Sequence, residues 1–277
     1  MDVREATEAE AADWSDGWTQ RLGAWWSGCD GPAVWPDMQV KNARARFHDS
    51  SERSVMTLTS AGVSVGYLAL ALSGSMGIVV DVWIAPEQRR RGYGADALTW
   101  ATAWGRERSS ELWVFNDPAD PVAVALCAGV PLRAQWMVKR LPSEFPLPEG
   151  VQGREMTDAE FAAYRDTMTS GYADQIAASG SLSPADAIRE AAAQTAALLP
   201  EGQHTPGHTF WTILAGGAQV ATNWLMHGRQ PELSFVYAVD VTEEHRGKGY
   251  GRAAMVVGER ASAAAGDTHL ALNVFGL

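Results

Sequence analysis

A glycine-rich stretch, residues 246–252, reads Arg-Gly-Lys-Gly-Tyr-Gly-Arg and could bind phosphate through its backbone. Glycines let a ligand approach the chain closely because they carry no Cβ, and consecutive N–H groups at the start of a helix bind phosphate oxygens. The alternation of apolar and smaller residues over 235–241 predicts a strand before the stretch, and the apolar run 253–257 predicts a helix after it. The stretch therefore predicts a site for a ligand that carries a pyrophosphate.

The same pattern occurs earlier in the chain, where residues 89–95 read Arg-Arg-Arg-Gly-Tyr-Gly-Ala. The offset between Gly92 and Gly249 is 249 − 92 = 157 residues, and Asn116 and Asn273 are separated by the same offset. Each Asn comes at the end of a short apolar segment that is typical of a strand. Two features at one offset indicate an internal duplication.

Both stretches resemble the signature of the GNAT superfamily of acyl-CoA-dependent N-acetyltransferases, which is Arg/Gln-x-x-Gly-x-Gly/Ala between a strand and a helix. The three specified positions of this signature are filled in both halves, by Arg89, Gly92 and Gly94 and by Arg246, Gly249 and Gly251. The resemblance implies an α/β fold of the α+β type with two modules, each a mixed, mostly antiparallel central sheet flanked by helices. The tandem arrangement is similar to that of mycothiol synthases, in which the C-terminal module is the working one; this similarity is architectural.

The resemblance also implies acetyl-CoA, or another acyl-CoA, as the cofactor. Amides of the loop would bind the pyrophosphate, and N–H groups of the preceding strand would polarise the acyl carbonyl. The cofactor-binding residues expected in the second half are Val239, Val241, Arg246, Gly247, Lys248, Gly249, Tyr250, Gly251, Arg252 and Asn273, and those in the first half are Val82, Ile84, Arg89, Arg90, Arg91, Gly92, Tyr93, Gly94 and Ala95.

Acetyl transfer to an amine needs a group that removes a proton. We expect Asp240 to be this base because it lies on the strand beside the presumed thioester, with Glu244 as the second catalytic candidate. Regular alternation would turn Asp240 away from Val239 and Val241, and a bulge would change that. If the first half is active instead, Asp81 is the candidate base. Neither half places a Ser or Cys beside a His in sequence, so we expect direct attack of the amine in a ternary complex.

Two features depart from the family pattern. Members carry a Tyr that faces the CoA sulfur, whereas Cys127 stands at that place in the first half, which is therefore expected to bind CoA without turnover. In the second half the chain ends soon after Asn273, so we expect that module to lack its C-terminal helix and strands and to leave an open sheet edge. Residues 132–141 are expected to supply the closing strand of the first module.

The composition favours a protein of two domains, because 277 residues with 46% hydrophobic content can fill two cores. We expect an N-terminal module at 1–141, a Pro-rich linker at 142–150 and a C-terminal module at 151–277. In each half a Thr-x-x-Glu capping pattern, at Thr7 and at Thr157, predicts the start of the first helix. Five Trp residues between 13 and 36 fit either an aromatic acceptor pocket or simple core packing.

The charge and the apolar content narrow the classes of partner. A net charge of −11 argues against nucleic acid and favours a small-molecule amine as substrate. No apolar run is long enough to span a bilayer and no signal-peptide core is present, so we expect a cytoplasmic monomer or homodimer with no membrane partner. His204 and His208 are four apart, but Pro206 between them argues against a metal pair on a helix.

Two alternatives remain open at this point. One is a CoA-binding regulatory or scaffold protein whose two acetyltransferase modules have both lost turnover. The other is a nucleic-acid partner that binds through Arg89, Arg90 and Arg91, which the acidic total disfavours. The helices that would read the acceptor identify no particular amine.

Overall fold

The computed structural model describes residues 1–109, 111–178 and 183–275. By spatial contact the chain forms two compact units, one made of Met1–Cys29 and Ala33–Leu132 and the other of Asp30–Pro32 and Arg133–Leu277. The elements of the first unit are β1 (Asp2–Glu5), α1 (Glu8–Gly28), α2 (Trp35–His48), β2 (Glu52–Ser60), β3 (Val63–Ser73), β4 (Met76–Ile84), α3 (Tyr93–Arg108), β5 (Glu111–Val114) and α4 (Pro121–Leu126). Those of the second are β6 (Ala134–Arg140), β7 (Val151–Glu155), α5 (Asp158–Ala178), α6 (Pro184–Leu198), β8 (His208–Ala215), β9 (Ala218–Gln230), β10 (Leu233–Val241), α7 (Tyr250–Ala264) and β11 (His269–Phe275).

The first unit is built on a five-stranded sheet in the order β1-β2-β3-β4-β5. Neighbouring strands run antiparallel except β4 and β5, which are parallel. Helix α3 buries Ala97 and Ala101 against one face of the sheet. Trp14 and Trp18 of α1 are buried beside Ala69 of β3 in a separate cluster. The Trp-rich segment is thus largely core.

The second unit is built on a six-stranded sheet in the order β6-β11-β10-β9-β8-β7. Strands β10 and β11 form its parallel pair, and the other pairs are antiparallel. Helix α7 packs Ala253, Ala254 and Val257 against Ile213 and Val220. The expected fold class, two units that each have a mixed and mostly antiparallel sheet flanked by helices, is confirmed.

The expectation that residues 132–141 close the first sheet is wrong. The segment does form a strand, β6, but this strand pairs antiparallel with β11 along its whole length, from His269 opposite Arg140 to Phe275 opposite Ala134. The edge of β11, which we expected to be open, is therefore covered. A salt bridge of 2.6 Å joins Lys139 of β6 to the buried Glu259 of α7. Backbone pairing of a strand edge is generic, so sequence pattern alone does not specify which sheet a strand joins.

Both units begin in the same way. Thr7 caps α1 in a capping box, since its backbone N–H donates to the Glu10 carboxylate (2.8 Å) and its hydroxyl accepts from the Glu10 N–H (3.3 Å). Thr157 and Glu160 repeat these two distances before α5. The boxes are offset by 157 − 7 = 150 residues, and α1 and α5 are both 21 residues long. The capping predicted from sequence is present in both halves and aligns the two helices residue by residue.

Candidate functional site

The glycine-rich loop of the second unit connects β10 to α7 through a short 3-10 helix, Glu243–His245. Gly247 and Gly249 have the left-handed φ values of 74° and 87°, which other residue types rarely adopt. Gly249 is also the N-cap of α7 and supplies no side-chain cap. Among the residues that the structure describes, none accepts a hydrogen bond from the N–H groups of 247–252. These amides therefore form a set of free donors at a helix N-terminus, where an anion is favoured.

The loop of the first unit repeats this backbone. Its 3-10 helix is Pro86–Gln88, the left-handed positions are Arg90 (63°) and Gly92 (91°), and α3 begins at Tyr93. The described residues likewise contain no acceptor for the N–H groups of 90–95. A Cβ placed on Gly92 or Gly249 would meet no atom within 4 Å, so the space above both loops is open. The donor set and this open space fit the pyrophosphate of an acyl-CoA.

Basic side chains attach each loop to the strand and to the short 3-10 helix that precede it. Arg246 Nε donates to the Val241 carbonyl (3.3 Å), and Lys248 Nζ donates to the Glu244 carbonyl (2.8 Å). In the first unit, Arg89 Nε donates to the Ile84 carbonyl (3.0 Å) and Arg91 donates to the Glu87 carbonyl (3.2 Å). The signature arginines thus hold the loop in shape. Gly251 lies in the first turn of α7, where a Cβ would be 3.6 Å from Val241 Cγ2, so helix and strand approach closely there.

One difference between the loops gives a stability prediction. Arg90 has the left-handed backbone that Gly247 has in the other copy. A residue with a Cβ is strained there by about 1–2 kcal/mol, so we expect Arg90→Gly to raise the free energy of unfolding by about 1 kcal/mol and Gly247→Ala to lower it by about 1 kcal/mol. Urea unfolding followed by fluorescence measures both. Arg90→Ala keeps the backbone strain and removes the charge. If it raises the free energy of unfolding as much as Arg90→Gly does, the stabilisation comes from loss of the charge and not from relief of backbone strain.

Each parallel strand pair opens toward the loop. Strand β10 pairs with β11 only from Leu233 to Val236, although β10 continues to Val241. Strand β4 pairs with β5 only from Met76 to Val79. On the other side, the register of β10 with β9 shifts between Val236 and Ala238, and that of β4 with β3 shifts after Val79. A strand that diverges from its neighbour leaves backbone groups free for a ligand, and the bulge recurs at the same 157-residue offset.

The bulge in β10 lies before Val239, Asp240 and Val241 and does not interrupt the strand between them. From Ala238 to Val241 the pairing with β9 is regular. Val239 and Val241 pack with the cluster under α7, and Asp240 therefore points to the opposite face of the sheet, where it is exposed. Val82 and Ile84 pack against the corresponding cluster of the first unit. Strand alternation is thus maintained at Asp240.

Aromatic side chains line the sheet face that Asp240 shares, and the sequence analysis did not identify them. Tyr164 of α5 packs there, and its pKa is raised by burial and then by the negative charge of Asp240. Trp224 stacks on Tyr237 with ring centroids 4.6 Å apart. The Trp224 indole donates to His208 Nδ1 (2.9 Å), and burial lowers the pKa of His208. The signal in the sequence was that each of the three strands β8, β9 and β10 carries at least one large aromatic residue.

The other predicted polar residues lie apart from this face. Glu244 is exposed in the 3-10 helix, 3.5 Å from His245 Nδ1, and its pKa is lowered mainly by a hydrogen bond to its own backbone N–H. Asn273 is exposed on β11, opposite Trp136. Cys127 follows α4, and burial raises the pKa of its thiol against the opposing effect of a hydrogen bond to Asn116. A thiol of raised pKa stays protonated near neutral pH.

The carboxylate of the first unit is paired. Asp81 of β4 accepts from the Trp14 indole (2.9 Å) and from Arg21 (2.6 Å). Burial raises the pKa of Asp81, and the charge of Arg21 opposes that shift. The Arg21 guanidinium also lies over the Trp83 ring, 5.4 Å from its centroid. Asp81 is therefore held in an ion pair, whereas none of the residues that the structure describes forms one with Asp240.

The structure brings one Ser next to a His, which the sequence analysis did not expect. Ser234 Oγ lies 2.8 Å from His227 Nδ1 and donates to the Asp267 carboxylate (2.6 Å). Ser234 is fully buried, and Thr209 occupies the other His227 nitrogen at 2.8 Å. Because its proton is committed to Asp267 and no surface reaches it, Ser234 is a structural residue and direct attack of an amine remains the prediction.

Among the described residues, no group of three or more His, Cys, Asp or Glu could hold a metal ion. No helix among them is long and apolar enough to cross a membrane.

The model of the acetyltransferase (GNAT) family matches residues 19–128. Two proteins of Bacillus subtilis (strain 168), both described as uncharacterized N-acetyltransferases, are similar in sequence. YycN is 31% identical over 124 residues, which are 43% of this chain and 79% of YycN, and YdgE is 28% identical over 126 residues, which are 44% of this chain and 79% of YdgE.

A solved structure is similar over nearly the whole chain. The GCN5-related N-acetyltransferase from Sphaerobacter thermophilus has a TM-score of 0.54, is 15% identical, and the match covers 99% of this chain and 86% of that one. At this identity the match supports the fold alone. The sequence match to YycN over most of its length, together with the family model, shows descent, and the chain belongs to the GNAT acetyltransferase family.

Proposed function

We propose that the protein is an acetyl-CoA-dependent N-acetyltransferase that acetylates the primary amine of a small molecule, and that its second unit carries turnover. The observation on which this rests is the set of free backbone amides at residues 247–252, at the point where β10 diverges from β11. Bound there, acetyl-CoA would supply the acetyl group as a thioester. The family-model match to residues 19–128 supports descent of the first unit from a GNAT module, and the choice of the second unit as the active one rests on its own residues.

Each of these residues of the second unit would have its own role in binding or catalysis. The amides of 247–252 bind the pyrophosphate, and the N–H groups of Val239 and Val241 polarise the acyl carbonyl. Asp240 accepts a proton from the amine, directly or through water, on the face that Tyr164 and Trp224 line. The neutral amine attacks the carbonyl carbon directly, and the new C–N bond replaces the C–S bond. CoA leaves as the thiolate, which takes a proton from water, and the attacking nitrogen loses one proton to water. Glu244 remains a candidate, but it is exposed in the 3-10 helix and not on the strand, and its pKa is lowered mainly by a hydrogen bond to its own backbone N–H.

The charge of the protein supports the choice of acceptor. A net charge of −11 attracts cationic amines over long range. The side chain of Asp240 is exposed, and no ion pair involving it occurs among the described residues. A carboxylate without a cationic partner is available both to bind an ammonium group and to accept its proton.

Thiol release tests the proposal. The intact protein is mixed with acetyl-CoA and with arylalkylamines, polyamines and amino sugars, and free CoA thiol is measured with time. We expect at least one amine to accelerate release and its N-acetylated form to have no effect. If acetyl-CoA binds but no amine accelerates release, the CoA-binding regulatory protein described above becomes the better interpretation.

A further inference from the structure

Arg21 occupies a cation-binding site within the first unit. Its guanidinium contacts the Asp81 carboxylate at 2.6 Å and lies 5.4 Å from the centre of the Trp83 ring. The side chain of Asp81 is only 15% exposed, whereas that of Arg21 is 37% exposed. A desolvated carboxylate and the face of an indole are two groups that bind organic cations. The site is therefore accessible through Arg21 and is filled by it.

The internal duplication identifies the corresponding place in the second unit. The capping boxes align α1 with α5 at an offset of 150 residues, so Trp14 corresponds to Tyr164 and Arg21 corresponds to Gly171. The strands align at an offset of 157, so Trp83 corresponds to Asp240. The carboxylate is thus displaced by one same-face position along the strand, from the site of Asp81 to the site of Trp83.

At the position that corresponds to Arg21, the second unit has Gly171 and therefore no side chain. Gly171 lies within α5, and a Cβ at this position would meet no atom within 4 Å. Glycine inside a helix costs about 1 kcal/mol relative to alanine, so helix stability does not favour it at this position. Both helices are close to their carboxylates: Trp14 donates to Asp81, and Tyr164 packs against the same cluster as Ala238, which is two positions before Asp240 on β10. The same helix–strand arrangement is filled in one unit and open in the other.

We propose that Arg21 is an internal occupant of the site in the first unit where the cationic group of an amine would otherwise bind, and that Gly171 leaves the equivalent site of the second unit open to the substrate amine. The part that concerns Gly171 rests on the function proposed above. The part that concerns Arg21 requires only that Asp81 and Trp83 bind a cation. The residue at this position of the first helix would then be one reason, beside Cys127, why the two units differ in activity.

The first test removes the occupant and supplies a free cation. Arg21→Gly is titrated with n-butylammonium, and the indole N–H resonance of Trp14, assigned through Trp14→Phe, is followed by NMR. We expect saturable shifts with a Kd of about 1 mM or lower, and none with n-butanol, which is similar in size but uncharged. Arg21→Gly/Asp81→Asn is the matched control and should not respond. Absence of a response in folded Arg21→Gly would overturn the proposal for this unit.

The second test places an occupant in the open unit. In Gly171→Arg we expect the KM for the amine to rise about tenfold or more, with acetyl-CoA affinity unchanged, because the guanidinium competes with the amine for Asp240. Gly171→Gln also fills the space but carries no charge to compete for Asp240, so it should raise the KM clearly less than Gly171→Arg does. Equal KM values for Gly171→Arg and the unmodified protein would contradict the proposal.

Each test can be interpreted without the other. If Arg21→Gly does not fold, because Asp81 is left buried without a partner, the KM of Gly171→Arg decides whether the proposal holds. If no amine supports thiol release, the proposed function fails, whereas n-butylammonium binding to Arg21→Gly is measured without acetyl-CoA and still decides the first part.

Discussion

Asp240→Asn is expected to lower the turnover number for amine acetylation by about 100- to 10,000-fold, the range that a positioned general base contributes. Asn has nearly the same shape as Asp but cannot accept the proton. Because Asp240 points away from Val239, Val241 and the cluster under α7, acetyl-CoA affinity and stability should stay close to those of the unmodified protein. Thiol release at saturating amine gives the turnover number, and calorimetry gives the acetyl-CoA affinity.

The control for this prediction is another exposed carboxylate of the same segment. Glu243→Gln removes one negative charge three residues further along the chain, in the 3-10 helix, and should change turnover less than about threefold if charge alone is not limiting. If Asp240→Asn retains turnover while Asp81→Asn loses it, the assignment of the active unit is wrong. In that case Arg21 would act in catalysis and would not be an internal occupant.

Gly249→Leu is expected to weaken acetyl-CoA binding at the second unit by about 100-fold or more and to abolish turnover. The backbone φ of 87° strains any residue with a Cβ, and a Leu side chain would stand in the open space above the free amides of 247–252. Gly92→Leu should remove binding at the first unit and leave turnover intact. Calorimetric titration of acetyl-CoA into each variant separates the two sites.

Matched glycines outside the loops control for backbone strain. Gly217 (φ 83°) and Gly62 (φ 78°) lie in hairpin turns of the second and first units and also have open space around them. Gly217→Leu and Gly62→Leu should therefore have comparable strain but bind acetyl-CoA normally. If turnover is lost in Gly92→Leu and kept in Gly249→Leu, the first unit is the active one. If the unmodified protein gives no heat with acetyl-CoA, the proposed cofactor is wrong for this chain.

Features that depend on short stretches of chain were predictable from sequence. The loop glycines, the capping boxes at Thr7 and Thr157 and the hairpins around residues 60–63 and 215–218 follow from local backbone preferences and side-chain periodicity. The duplication was visible as the 157-residue offset, and the structure adds the recurring bulge and left-handed positions to it. For Asp240 the sequence left two orientations open, regular alternation or a local bulge, and in the structure the alternation is regular from Ala238 to Val241.

Pairing and environment were decided by tertiary structure. Strand β6 was predicted as a strand but assigned to the wrong sheet. Backbone hydrogen bonds at a strand edge are the same for every sequence, so the pairing with β11 depends on which edge is exposed in the folded chain. Likewise Asp81 and Asp240 look alike as single carboxylates in a strand. Only the packing of α1 and α5 shows that Arg21 neutralises the first, whereas the second has Gly171 at the equivalent helix position. The sequence determined the loops, since their chemistry is backbone conformation; the folded structure determined the state of each carboxylate, since charge and burial depend on residues distant in the chain.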